Sequence, residues 1–255
     1  MLAGAGSFAR HALAAGIPLL LVGVAVIVYG GFLPPHPAPS VEVPARTVAL
    51  EAVLDEPLSR WLWLVKWLLA IPHFVVLALL LPAFSVLTVV AFFAILFTER
   101  YPPALFATNV GILRWGWRVG YYAYSTLGSD RYPPFTLQQR EYPAAFTVAY
   151  PPRLSRGLVL VKWWLLAVPH YLIVGAFVAN GGERAGLTTV LVVCAAVGLA
   201  FTGRYPRGLY DFIMGLNRWT YRVIAYAALL RDEYPAFHLD PGGSEPVPTS
   251  KIEPV

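Results

Sequence analysis

Along most of this chain apolar residues run in long, nearly unbroken stretches, with polar residues gathered in short clusters between them. The first stretch, Ile17 to Leu33, follows Arg10 and His11. A helix needs about twenty apolar residues to cross a bilayer, so 1–33 reads as a transmembrane anchor. A cleaved signal peptide is the competing reading. Its apolar core would be unusually long, and Pro34, Pro35, Pro37 and Pro39 crowd the place of a small-residue cleavage site. From 34 to 57 prolines mix with an alternation that puts Val48, Leu50, Ala52 and Leu54 on one face, which predicts a linker ending in a short strand.

The remainder is written twice. Leu58-Ser59-Arg60 recurs as Leu154-Ser155-Arg156, and Leu64 to Trp67 as Leu160 to Trp163. Leu69-Ala70-Ile71-Pro72-His73 matches Leu166-Ala167-Val168-Pro169-His170, and Phe97 to Pro102 matches Phe201 to Pro206. Gly111-Ile112-Leu113-Arg114-Trp115 with Arg118-Val119 matches Gly215-Leu216-Asn217-Arg218-Trp219 with Arg222-Val223, and each copy closes on Tyr-Pro-x-Phe, at Tyr132 and Tyr234. So many matches in one order mark a tandem duplication, with repeat 1 over 58–137, repeat 2 over 138–240, and a polar tail over 241–255 expected to lack fixed structure.

In repeat 2 the polar run Asn180 to Gly186 divides the apolar sequence into helices near 156–179 and 187–202, and in repeat 1 Leu81-Pro82-Ala83 is a shorter break; each repeat is therefore expected to be a transmembrane helical hairpin. The third segment of each repeat, near 103–126 and 207–230, carries its arginines on one face, the mark of an amphipathic helix in the membrane interface. Short flanking β-strands are expected near 48–54, 133–137, 144–150 and 236–239, limited by prolines at their ends. The fold class is thus an all-α integral membrane protein, an N-terminal anchor helix followed by two tandem repeats. Two spans per repeat would relate the copies by a pseudo-twofold axis along the membrane normal, whereas three would make them inverted. With two, nearly all Lys and Arg fall on one side, which the positive-inside rule makes cytoplasmic. The expectation is five spans in the inner (cytoplasmic) membrane, N-terminus out and C-terminus in, although Arg10 and His11 by themselves favour the opposite insertion of the first helix.

Composition agrees. Of 255 residues 58% are hydrophobic and 13% charged, and the mean hydropathy is +0.61; a soluble domain is nearer half apolar and a quarter charged. The formal charge is +5, sixteen of the nineteen basic residues being Arg, a choice suited to lipid phosphate. Nucleic acid is excluded as a partner by the lack of any basic run, helix-turn-helix, RNA-binding aromatic motif or zinc finger. The lone Cys194 allows neither an intramolecular disulfide nor a CxxC site.

The pattern Ser-Arg, Lys-Trp, Ala-Ile/Val-Pro-His, Phe-Thr-x-Arg-Tyr-Pro and Arg-Trp-x-x-Arg-Val resembles the uncharacterised bacterial membrane family known as domain of unknown function 4389, over roughly Val48 to Leu239. Copy one departs from it with Glu99 in place of a glycine and Ala107 in place of the acid at Asp211. The resemblance supports the fold and implies no activity.

Three groups of residues are candidates for chemistry. His73 and His170 each follow a proline in an apolar stretch; a symmetry-related pair could hold haem or a metal, bind another cofactor or relay protons, or each could satisfy a carbonyl freed by its proline. Arg100, Arg114 and Arg118 in copy one, with Arg204, Arg207, Arg218 and Arg222 in copy two, could grip the phosphate of an anionic lipid or could face headgroups generally, with Asp211 pairing Arg218 or Arg222. Lys66 and Lys162 are placed to snorkel, and Trp61, Trp63, Trp67, Trp163 and Trp164 to anchor at the headgroups. No catalytic triad, HExxH, P-loop, Rossmann glycine pattern or intramembrane carboxylate pair is present. The expected function is a non-enzymatic accessory or scaffold protein that docks to a membrane protein complex or binds anionic lipid. The alternatives are a carrier or cofactor-binding protein using His73 and His170, and an enzyme acting on a lipid-linked phosphate.

Overall fold

The computed structural model describes residues 48–178 and 186–241. The expected anchor over 1–33, most of the linker, residues 179–185 and the tail from 242 lie outside the described residues. Among them the order is β1 (Val48–Ala52), α1 (Trp63–Leu69), α2 (Ile71–Thr98), α3 (Pro103–Ala123), β2 (Ala144–Val148), α4 (Arg156–Val161), a π-helical turn (Lys162–Leu166), α5 (Val168–Val178), α6 (Leu187–Thr202) and α7 (Arg207–Ala227).

In copy one the proline-led apolar stretch is a single helix, α2, running through Pro82 for 28 residues. The expected break at Leu81-Pro82-Ala83 does not form. With apolar sequence on both sides of Pro82, unravelling would expose more backbone groups than the one carbonyl a proline leaves unbonded. The helices break earlier instead, at Ala70 and Ala167, both fully buried. Pro72 and Pro169 follow in the first turn of α2 and α5, where a missing N–H costs nothing, and in copy two the chain bends there by 46°. The hairpin of copy one is α2 against α3: Asn109 Nδ2 donates to Thr88 Oγ1 at 3.2 Å near the turn, and Trp115 Nε1 donates to His73 Nδ1 at 3.0 Å towards the far end.

A second departure concerns α3 and α7. Expected at the interface, they are the centre of the molecule; from Val110 to Ala123 every residue of α3 except Arg114 and Gly116 is buried. Trp117 and Tyr221, equivalent positions in the two copies, meet with ring centroids 5.5 Å apart. The polar face that suggested a wet surface is spent on the protein's own backbone, as shown below.

Of the four expected strands, β1 and β2 form and pair antiparallel with Leu50 opposite Phe146. The segments 133–137 and 236–239 are irregular, because arginine side chains take the carbonyls that a strand partner would need. Leu50 and Phe146 are equivalent positions, so the pseudo-twofold passes through this pair. The strands are exchanged: β1, which leads into copy one, packs on α7 of copy two, and β2 packs on α3 of copy one.

Candidate functional site

In each copy the repeated lysine, histidine and Tyr-Pro-x-Phe come together as one assembly at the helix break. It starts with lysine. Lys66 and Lys162 are buried at 2% and 0% exposure, and neither snorkels. Lys66 Nζ donates to the Ser129 carbonyl at 2.8 Å and pairs with Asp130 at 2.8 Å; Lys162 Nζ donates to the Arg231 carbonyl at 2.9 Å and pairs with Asp232 at 2.7 Å. The other carboxylate oxygen accepts the backbone N–H of Ser59 or Ser155, both at 2.6 Å, so the repeated Leu-Ser-Arg is a docking point for the aspartate. Tyr122 and Tyr226 lie under the two ammonium groups. Neither aspartate was among the expected site residues. The signal was present, since each stands two positions before the repeated Tyr-Pro-x-Phe.

The same closing segment then covers the histidine. Tyr132 and Tyr234 donate to the carbonyls of Leu69 and Leu166 at the break, at 3.1 and 3.2 Å. Phe135 stacks on His73 at 3.9 Å between centroids, and Phe237 on His170 at 4.2 Å. Trp219 Nε1 donates to His170 Nδ1 at 3.1 Å, as Trp115 does to His73. An Nδ1 that accepts leaves the neutral ring's proton on Nε2, which in each case is enclosed within the protein. Each histidine's ring contacts lie wholly within its own copy. To ligate haem iron or a metal, either ring would have to give up its tryptophan bond or its Nε2 proton. Among the described residues no group of three His, Cys, Asp or Glu is placed to hold a metal ion.

The arginines divide into two kinds. Arg118 and Arg218 are fully buried, and with Arg114 and Arg222 they face the protein rather than headgroups. Arg114 donates to the carbonyls of Phe146 in β2 (2.9 Å) and Leu137 (3.0 Å), while Arg118 donates to Thr136 and Gln138 at 3.2 and 2.8 Å. Arg218 donates to Leu50 in β1 at 2.9 Å and to the Asp240 carbonyl, and Arg222 pairs with the Asp240 carboxylate at 3.1 Å. Asp211 pairs with neither Arg218 nor Arg222 in any ion pair among the described residues. Arg114 and Arg218 thus each hold the strand that leads into the other copy. Gly111 allows this closeness, since a Cβ there would sit 2.9 Å from Leu137 Cβ. Burial, then the neighbouring Arg118, lowers the Arg114 pKa to about 10, so it stays cationic at neutral pH. Arg100, Arg204 and Arg207, by contrast, are exposed near the ends of α2 and α6.

Trp61, Trp67, Trp163 and Trp164 are exposed beside the break, as an anchoring role requires. They open onto a wall of exposed apolar side chains that includes Val75, Leu79, Val89, Phe93 and Phe97 in copy one and Leu172, Val190, Val193, Val197 and Phe201 in copy two. Only 17% of the apolar window of α2 is covered by protein. This helix is long and apolar enough to cross a membrane, and the bent pair 156–178 passes the same test if counted as one span.

The family model for "Domain of unknown function (DUF4389)" matches residues 60–136 and 161–238, together more than half of the chain. The protein belongs to this family and carries its domain in two tandem copies. No curated protein and no solved structure matches it.

Proposed function

We propose that this chain is a non-enzymatic, multi-pass membrane protein that acts as a scaffold, holding anionic lipid and a membrane protein partner around its apolar wall. The observation that carries this reading is the exposure of α2: 28 residues, mean hydropathy 2.7 over its apolar window, 17% covered. Leaving so much apolar surface in water would be unusual for a soluble monomer, whose largest patches are a few hundred Å². In hydrocarbon it costs nothing. The inward bonding of Lys66, Lys162, Arg118 and the two histidines gives these groups a structural role that suits a scaffold. The exposed arginines at the ends of α2 and α6 suit the cytoplasmic headgroup level in the inner membrane.

The test is fractionation followed by native electrophoresis. The tagged protein should stay with membranes through an alkaline carbonate wash and, after mild detergent extraction, co-migrate with a partner or retain anionic lipid. Release into the wash, or a lone lipid-free species, would refute the reading.

A further inference from the structure

The two copies differ where α2 and α6 end, and the difference describes a ligand. Both helices end on a left-handed residue, Glu99 (φ 60°) in copy one and Gly203 (φ 72°) in copy two. The arginine that opens the other copy lies across each of these positions. On copy one, Glu99 forms an ion pair with Arg156 Nε at 3.1 Å and accepts a hydrogen bond from Arg153. On copy two the equivalent arginine, Arg60, lies flat against Gly203, its Nη2 2.6 Å from where a Cβ would be. Arg60 has no hydrogen bond or ion pair among the described residues, and Arg204 has none through its side chain. Copy one therefore supplies its own anion to this arginine, and copy two presents the same arginine without one.

Space is available for the missing group. A cavity of about 550 Å³ opens at Gly203, lined on its polar side by Arg204, Arg207 and Glu56 and on its apolar side by Leu58 and Leu199. Glu56 is neutralised by Arg207 at 2.7 Å, which leaves the charges of Arg60 and Arg204 uncompensated. A helix C-terminus by itself repels an anion. Glu99 occupies that position nonetheless, held by two arginines, so the local field admits a negative group there. Arg side chains bind the oxygens of a phosphoryl group in bidentate fashion.

We infer that the cavity at Gly203, with Arg204 on its wall and Arg60 lying against the same glycine, is a binding site for one phosphoryl group, and that Glu99 is the built-in occupant of the equivalent position in copy one. This rests on the membrane reading above for the source of the ligand, a phospholipid headgroup; a free phosphate shares the same chemistry. The full chain, purified in neutral detergent, is titrated calorimetrically with short-chain phosphatidylglycerol in one arm and with inorganic phosphate in the other. The arm that saturates at one site per chain names the source. Gly203→Glu should abolish that site, because the backbone already carries Glu at the equivalent position and only the mobile end of Arg60 must shift. Arg60→Gln should weaken it at least tenfold, the loss of a charge-assisted bond. Glu99→Gly should raise the count from one to two. Thermal melting of each variant verifies folding. No saturation in either arm, wild-type binding in Gly203→Glu, or a count that stays at one in Glu99→Gly would overturn the inference. The membrane reading is judged apart from it, by insertion of the same variants into vesicles of phosphatidylcholine alone.

Discussion

Copies one and two use the same clamp on helices that differ in length, and the clamp is what the sequence repeats. Between lysine and histidine, copy two has one residue more than copy one. In an α-helix that residue would turn everything beyond it by about 100°. The π-helical turn Lys162–Leu166 absorbs it, so Lys162 meets Asp232 as Lys66 meets Asp130. Further on, copy one runs unbroken through Pro82 while copy two interrupts the corresponding stretch between α5 and α6. Both insertions fall between fixed points. The Lys–Asp pair, the His–Trp bond and the arginine grip on the exchanged strand are kept, and the apolar helix between them is free to vary because its outer face touches no partner within the protein.

Deleting single residues breaks this comparison most sharply. Loss of Trp67 should rotate Lys66 away from Asp130 and cost at least about 3–5 kcal/mol, the penalty for breaking a buried ion pair. Loss of Trp164 should convert the π turn to the spacing of copy one at a cost under about 1 kcal/mol. Chemical or thermal unfolding in detergent measures both, and equal effects would show that the π turn is not a compensating insertion.

Lys66→Met and Lys162→Met should each destabilise by about 3–5 kcal/mol. Pairing Lys162→Met with Asp232→Asn should recover much of the loss, because the half-buried carboxylate left without its partner is removed. A double-mutant cycle with no coupling would contradict the pair's role.

Trp115→Phe and Trp219→Phe each remove the one donor that, among the described residues, bonds a buried Nδ1, at a cost of about 1–3 kcal/mol. The two effects should match in size, and the melting temperatures should shift together. A loss confined to one copy would show that the two cages are not equivalent.

The smallest expected effect is Glu99→Gly. It removes ion pairs in which Arg153 and Arg156 are exposed, worth about 0–1 kcal/mol, and relieves a left-handed non-glycine residue at a cost of about 1 kcal/mol. Stability should therefore change by less than about 1 kcal/mol, while the binding count changes as described above.

Much of the architecture could be read in the chain. The duplication, the apolar stretches, the two strands at 48–52 and 144–148, and the importance of histidine, lysine and the arginine pairs all appear as repeated words, because residues with fixed partners recur at matched places. The aspartates Asp130 and Asp232 also recur, but an isolated aspartate before Tyr-Pro reads as an ordinary turn residue. The arginines of α3 and α7 misled for a physical reason. Helical spacing shows that they share a face and not what that face meets, and a stripe of guanidinium groups suits headgroups and backbone carbonyls alike.

By itself, then, the sequence determined that this is a duplicated, strongly apolar chain whose polar residues recur in matched sets. Tertiary structure alone decided that each copy's strand crosses to the other copy's helix, that lysine and arginine turn inward, and that Pro82 lies within a helix. Those outcomes depend on which buried donor finds which acceptor across gaps as wide as Leu50 to Arg218, and on the loss incurred when any such group is left unpaired. Periodicity along the chain carries no record of partners that far apart.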